Sequence, residues 1–211
     1  MTVQEISNRL DTLLNKNSKG IVINEYFKSL YLTQAQAYFV EHVLKTYEYG
    51  DAIRHLLGVL LKEKTLVTGD ISGTEEGIIL LPLEIDVKQI LYERTNDVVE
   101  TIPLDYNDIY STINNPFRKP NDKISYRGTV DNRIKLYTSE TFLKYYYIYC
   151  KVPNAIVLED LPDSLEVQGM TTEQESELPY DSIIRVIEIA SNLIYKNKAR
   201  FIQKEQPAQK I

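Results

Sequence analysis

From Phe142 to Cys150 the chain reads FLKYYYIYC, an alternating strand with Tyr145, Tyr147 and Tyr149 on one face and Tyr146, Ile148 and Cys150 on the other. Neither face is strongly polar. A strand like that is central in a sheet or covered by a second layer. Pro153 stops it, and Ala155 to Leu158 reads as one more short strand. The second half of the chain therefore needs a β-rich core. A chain of 211 residues that is 43% hydrophobic can bury one.

The periodicity divides the rest. Thr2 and Glu5 have the spacing of a capping box, and Val3, Ile6, Leu10, Leu13 and Leu14 follow at helical intervals. Asn15 to Gly20 carries turn residues. Thr33 and Gln36 read as a second capping box, opening a helix Gln34 to Tyr47 with Phe39, Val40, Val43, Leu44 and Tyr47 on one face. Asp51 is placed to cap a third helix with Ile53, Leu56, Leu57, Leu60 and Leu61 as its apolar stripe.

From about Val67 the pattern turns to strand. Ile78 to Leu83 is an apolar run, while Val87 to Arg94 and Val98 to Ile102 alternate in part. Asp105 to Ile113 predicts a short helix, ended before Asn114–Asn115–Pro116. Lys123 to Val130 and Arg133 to Thr138 flank Asp131–Asn132, a pair that accepts the positive φ of a tight hairpin. Pro179 suits the first turn of a last helix, with Ile183, Ile187, Ala190 and Ile194 as its stripe.

Charge separates along the C-terminal part. No Lys, Arg or His lies between Lys151 and Arg185, a stretch that includes Glu159, Asp160, Glu166, Glu173, Glu175 and Glu177. Lys196 to Ile211 is basic, with Lys196, Lys198, Arg200, Lys204 and Lys210 against Glu205. Such runs are usually solvated. Here Phe201 and Ile202 sit inside the basic one, which marks a docking point. Phe201, Ile202 and Lys204, with Glu173 and Glu175 as one candidate receiver, are therefore the expected assembly contacts.

Little points to catalysis or metal binding. The two histidines, His42 and His55, have no zinc-ligand spacing, and Cys150 lies in an apolar strand where a thiol is inert. The single cysteine excludes a disulfide within the chain. Gly69 to Gly73 is not followed by Gly-Lys-Ser/Thr and is no phosphate loop. A net charge of −6 argues against phosphate binding as the main function. Asn114 to Pro120 is locally basic with one aromatic and reads as a rigid loop. Met1 to Leu14 does not read as a signal peptide, since Glu5, Arg9 and Asp11 interrupt it, and no apolar run reaches the roughly 20 residues that span a bilayer. The 16 tyrosines suit either ordinary core sites or a surface that becomes buried in a complex.

Several fragments recur in a particular order. Tyr26, Lys28, Ser29, Leu32, Thr33, Ala35 and Gln36 come first. Leu81–Pro82–Leu83, Ile102 to Tyr106, and Asn115 to Pro120 follow. Tyr145, Tyr146, Ile148, Tyr149, Lys151, Pro153 and Ala155 to Leu158 then precede Glu177–Leu178–Pro179 and the helix Ile183 to Leu193. With these pieces the chain resembles the neck proteins of crAss-like phages of Bacteroides-type hosts, the ring or head-to-tail connector proteins. Ser176 departs from the pattern, which has a cysteine there. The resemblance implies a helical core with a β-rich insertion, stacked as a ring of about twelve copies between portal and tail. It implies genomic DNA passing through the channel without sequence-specific binding, and neither enzyme activity nor cofactor. It also implies a place in the virion neck or tail after synthesis in the bacterial cytoplasm, with no membrane partner. The mild acidity agrees, because a conduit must let the duplex slide.

The expected fold is α+β. Residues 1–64 and 179–195 form one helical bundle, 67–158 a β-rich inserted domain, 159–178 an acidic loop, and 196–211 a basic tail. The expected function is a connector-ring subunit. The alternative is a soluble monomeric adaptor or inhibitor that binds one host protein through the Tyr-rich sheet.

Overall fold

The computed structural model describes residues 1–17, 23–75, 78–97, 99–139, 141–162 and 164–205. Among the described residues the fold is α+β, with five helices and an eight-stranded sheet. Two compact units divide the chain: residues 1–60 with 153–211, and residues 61–152.

The first unit holds helices α1 (Val3–Asn17), α2 (Glu25–Thr46), α3 (Asp51–Leu57) and α5 (Tyr180–Glu205). The capping box of α1 forms as its spacing predicts. Thr2 N–H donates to Glu5 Oε2 at 3.0 Å, and Glu5 N–H donates to Thr2 Oγ1 at 3.3 Å. Ile6, Leu10 and Leu14 are buried. The helix α2 begins nine residues before Gln34, at Glu25, with Asn24 Oδ1 accepting from Phe27 N–H at 3.0 Å. Thr33 and Gln36 are thus inside the helix and cap nothing; their side chains are engaged far along the chain.

The expected third helix is shorter than its apolar stripe. It ends at Leu57, a 3-10 turn covers Gly58–Leu60, and Leu61 already belongs to a strand. Gly58 has φ 45°, a left-handed conformation that ends the helix without a Cβ clash. Along α5, Ile183, Ile187, Ala190 and Ile194 are buried as expected, and Val186 joins them. This helix lies beside α1 and α2. It does not stop near Tyr195 but continues to Glu205, so the first half of the basic stretch is helical.

The second unit is the sheet. Its strands are β1 (Leu61–Val67), β2 (Gly73–Glu75), β3 (Ile78–Pro82), β4 (Val87–Thr95), β5 (Val99–Pro103), β6 (Ile124–Val130), β7 (Arg133–Tyr137) and β8 (Lys144–Lys151). The order is β1-β8-β4-β5-β6-β7-β3-β2. β8 is central, paired antiparallel with both β1 and β4. Its two-sided apolar character requires that position. Leu66 of β1 and Tyr147 of β8 share one core with Leu81 of β3 and Leu136 of β7, so the sheet curls until distant strands face each other.

Asp131 and Asn132 have φ 51° and 57° in the β6–β7 hairpin, as their side chains suggest. Asn96 and Asp97, at φ 51° and 67°, do the same between β4 and β5. β5 and β6 are parallel, and helix α4 (Tyr106–Ile113) makes the crossover between them. Ile109 of α4 packs with Tyr126 and Tyr137. Gly128 permits that approach, since a Cβ there would lie 3.1 Å from Ile109 Cδ1.

Candidate functional site

The acidic stretch after β8 is not a free loop. Ala155 to Leu158 is extended but forms no regular strand; Val157 makes a single antiparallel bridge with Gln174. A polar ladder on α2 takes the place of a neighbouring strand. Ser29, Thr33 and Gln36 recur at helical spacing on one face. Gln36 Nε2 donates to Asn154 O at 2.7 Å, Thr33 Oγ1 to Ile156 O at 3.2 Å, and Ile156 N–H to Thr33 Oγ1 at 3.0 Å. Leu158 N–H donates to Ser29 Oγ at 3.0 Å. Ser176 Oγ donates to Gln36 Oε1 at 2.6 Å, which ties the far end of the acidic stretch to the same helix. Ser176, where the resemblance implied a cysteine, thus has a structural partner.

Below this ladder Ala155, Val157, Leu161 and Val167 form a small core, with Tyr26, Leu30, Leu165 and Met170 half-buried against it. The charges face outward: Glu159, Asp160, Glu166, Glu173 and Glu175 are exposed. Glu173 N–H is fixed by Asp160 Oδ1 at 2.9 Å. The result is an ordered acidic rim around partly exposed apolar side chains. Glu173 and Glu175 belong to it. The side chains of Phe201, Ile202 and Lys204 lie outside the described residues, as do residues 206–211; only the helical backbone of α5 is described to Glu205.

Two buried charge clusters serve packing. Lys28, 3% exposed, reaches Asp11 Oδ2 at 2.7 Å, Glu25 Oε1 at 2.8 Å and Ser7 Oγ at 3.1 Å. Burial pushes its pKa down, but hydrogen bonds to Asp11 and Glu25 outweigh that and raise it above 10.5. An ammonium held charged in this way is no catalytic base. In the sheet, Glu93 Oε2 accepts from Arg127 Nε at 2.8 Å and from the Tyr145 hydroxyl. Thr95, Thr101 and Ser125 close a buried hydroxyl triangle with sides of 2.9–3.0 Å on β4, β5 and β6.

Tyr145, Tyr147 and Tyr149 stack along β8 with ring centroids 5.4 and 5.6 Å apart, inside the core. This face therefore presents no docking surface to a partner. Exposed aromatics lie elsewhere, including Tyr110 and Phe117. Cys150 is buried, and burial pushes its thiol up to about 11, which keeps it unreactive. His42 and His55 are exposed, with His55 Nε2 4.0 Å from Asp181 Oδ2. Among the described residues no group of three His, Cys, Asp or Glu could hold a metal ion, and no helix is long and apolar enough to cross a membrane.

Sequence reading missed the α2 ladder, because Ser29, Thr33 and Gln36 resemble local capping residues. It also missed the buried Lys28, whose partners come from another helix.

The chain matches the family described as "Phage tail ring protein 3/4" over residues 1–206. It is 30% identical over 203 residues to Ring protein 3 of Bacteroides phage crAss001, covering 84% of this chain and 88% of that protein. The family is one of structural phage proteins and not of enzymes. By that match over nearly its whole length, the chain belongs to the phage tail ring protein 3/4 family.

Proposed function

We propose that this chain is one subunit of a neck ring, the head-to-tail connector that joins portal to tail and continues the DNA channel. The observation that carries the reading is the extent of the family match. Residues 1–206 take in the sheet unit and all but the last five residues of the helical unit. The buried charge pairs support a part that acts by shape. In this reading α1, α2, α3 and α5 form one helical bundle from the two ends of the chain, and the sheet is a domain inserted into it. About twelve copies close the ring through two different, complementary faces. The net charge of −6 lets duplex DNA pass without being held. The subunit carries no catalytic activity and takes no metal or cofactor.

Assembly contacts in this reading include Phe201, Ile202 and Lys204 at the end of α5, and Glu173 and Glu175 on the acidic rim. Native mass spectrometry with negative-stain imaging tests it, on the purified chain and on necks isolated from particles. Rings, or the chain found in isolated necks, support the reading. A chain that stays monomeric and is absent from necks refutes it.

A further inference from the structure

The segment that follows α4 presents an aromatic to solvent on a tightly tied backbone. Phe117 is 95% exposed and Tyr110, on α4, is 77% exposed. Asn115 Oδ1 accepts from Phe117 N–H at 2.9 Å, and Asn115 O accepts from Arg118 and Lys119 N–H at 3.0 and 2.9 Å. Arg118 O accepts from the Tyr126 hydroxyl at 2.5 Å. Asn121 Oδ1 accepts from Lys123 and Ile124 N–H at 2.9 and 3.1 Å, and Pro116 and Pro120 stiffen the span. A loop held this way loses little further entropy when it docks. Within Asn114–Ile124 the exposed charges are Arg118, Lys119 and Lys123, against Asp122. The segment is a rigid aromatic knob in a positive collar.

The acidic rim has the complementary form. Tyr26, Leu165 and Met170 are half-buried over the small core of the first unit, and the stretch that builds this core exposes Glu159, Asp160, Glu166, Glu173 and Glu175, with no basic residue between Lys151 and Arg185. One unit thus offers an apolar spot with an acidic border, and the other an aromatic with a basic border. Two unlike faces on one chain are what a heterologous, closing contact needs.

We infer that the Phe117 knob of one copy docks onto the acidic rim of a second copy, with Phe117 against the Tyr26, Leu165 and Met170 region and Arg118 and Lys119 facing Glu173 and Glu175. This rests on the ring reading and adds to it the surfaces through which copies meet. Aromatic anchors buried at interface centres carry a large share of binding energy, and charged borders set register and speed association.

The test places a photocrosslinking benzoylphenylalanine at position 117 of the full chain, produced during infection. Purified particles are irradiated. A dimer-sized product whose linked peptide contains Tyr26 or maps within residues 159–177 supports the contact, and one linked elsewhere overturns it. Particles that contain the chain but give only monomer-sized, heteromeric or no product overturn the contact and leave the ring reading standing. Particles that lack both the substituted and the natural chain overturn the ring reading and the contact with it. A second measurement uses purified chains at low salt. Phe117→Ser weakens self-association roughly tenfold or more with the circular-dichroism melt unchanged. Lys119→Glu weakens it as well, and Lys119→Glu combined with Glu173→Lys restores it. Unchanged association of Phe117→Ser, or no restoration in the exchanged pair, overturns the contact.

Discussion

The Thr33 hydroxyl satisfies both backbone groups of Ile156, donating to its carbonyl oxygen at 3.2 Å and accepting from its N–H at 3.0 Å. The residues are 123 positions apart, and both are buried. An extended segment placed against a helix has no neighbouring strand to pair with on that side. A helix backbone offers no partners either, because its own groups are engaged. Hydroxyl and amide side chains on α2 supply them, and this holds the acidic rim in place.

Thr33→Val keeps the volume and removes that bond. It leaves a buried N–H and C=O unpaired, at about 2 kcal/mol or more. Chemical denaturation reads the loss. Hydrogen exchange at the Ile156 amide accelerates in the same variant, and Thr33→Ser retains most of the protection.

Glu93 and Arg127 form a pair in the sheet, with side chains 6% and 14% exposed. Glu93→Ala strands the guanidinium and the Tyr145 hydroxyl, and costs about 3–5 kcal/mol. Arg127→Met combined with Glu93→Leu costs less than Glu93→Ala alone, because no charge is left buried. Urea melts of the three chains check the order.

Alkali destabilises the fold through the tyrosine ladder. Burial first, then the Glu93 charge, raises the Tyr145 pKa well above 10.0, and burial raises that of Tyr147. Below pH 10 both hydroxyls are protonated in folded and unfolded chains, and this contribution is complete. Above it the unfolded chain ionises first, so stability falls as pH rises towards the folded values. Lys28, raised above 10.5, loses its contribution in the same direction. Tyr147→Phe gives a shallower fall in melting temperature between pH 9.5 and roughly 11.5 than the parent chain.

Ile187 is 1% exposed on α5, within the buried stripe. Ile187→Asp places an unpaired carboxylate there and costs roughly 3 kcal/mol or more. A circular-dichroism melt shows a large downward shift; an unchanged melt contradicts the packing of α5 in the first unit.

Removal of the residues after Asn197 deletes the last turns of α5 and the basic end. The truncated chain enters necks or virions less well than the full chain. The difference persists at high salt if Phe201 and Ile202 anchor the contact, because screening acts on charge and not on apolar burial. Equal incorporation at low and high salt shows that this end is only solvated.

Where chemistry is local, the sequence alone determined the outcome. Thr2 and Glu5 specify the start of α1, Asp131 and Asn132 a hairpin, and the two apolar faces of Tyr145 to Cys150 a central strand. In each case the partners are within a few residues or the pattern admits one environment. Tertiary structure decided the rest. Leu61 to Val67 continues an apolar helical stripe by its first residue, yet it becomes β1, because pairing with β8 satisfies its backbone along the whole strand. Thr33 and Gln36 have the spacing of a cap, yet they serve residues 154–156 instead. The acidic stretch has the composition of a solvated loop, yet Val157, Leu161 and Val167 bury themselves and order it. Burying those side chains and satisfying that backbone outweighs local preference, and the partners that do so, β8 for β1 and residues 154–156 for Thr33 and Gln36, are distant in the chain, where no periodicity reaches.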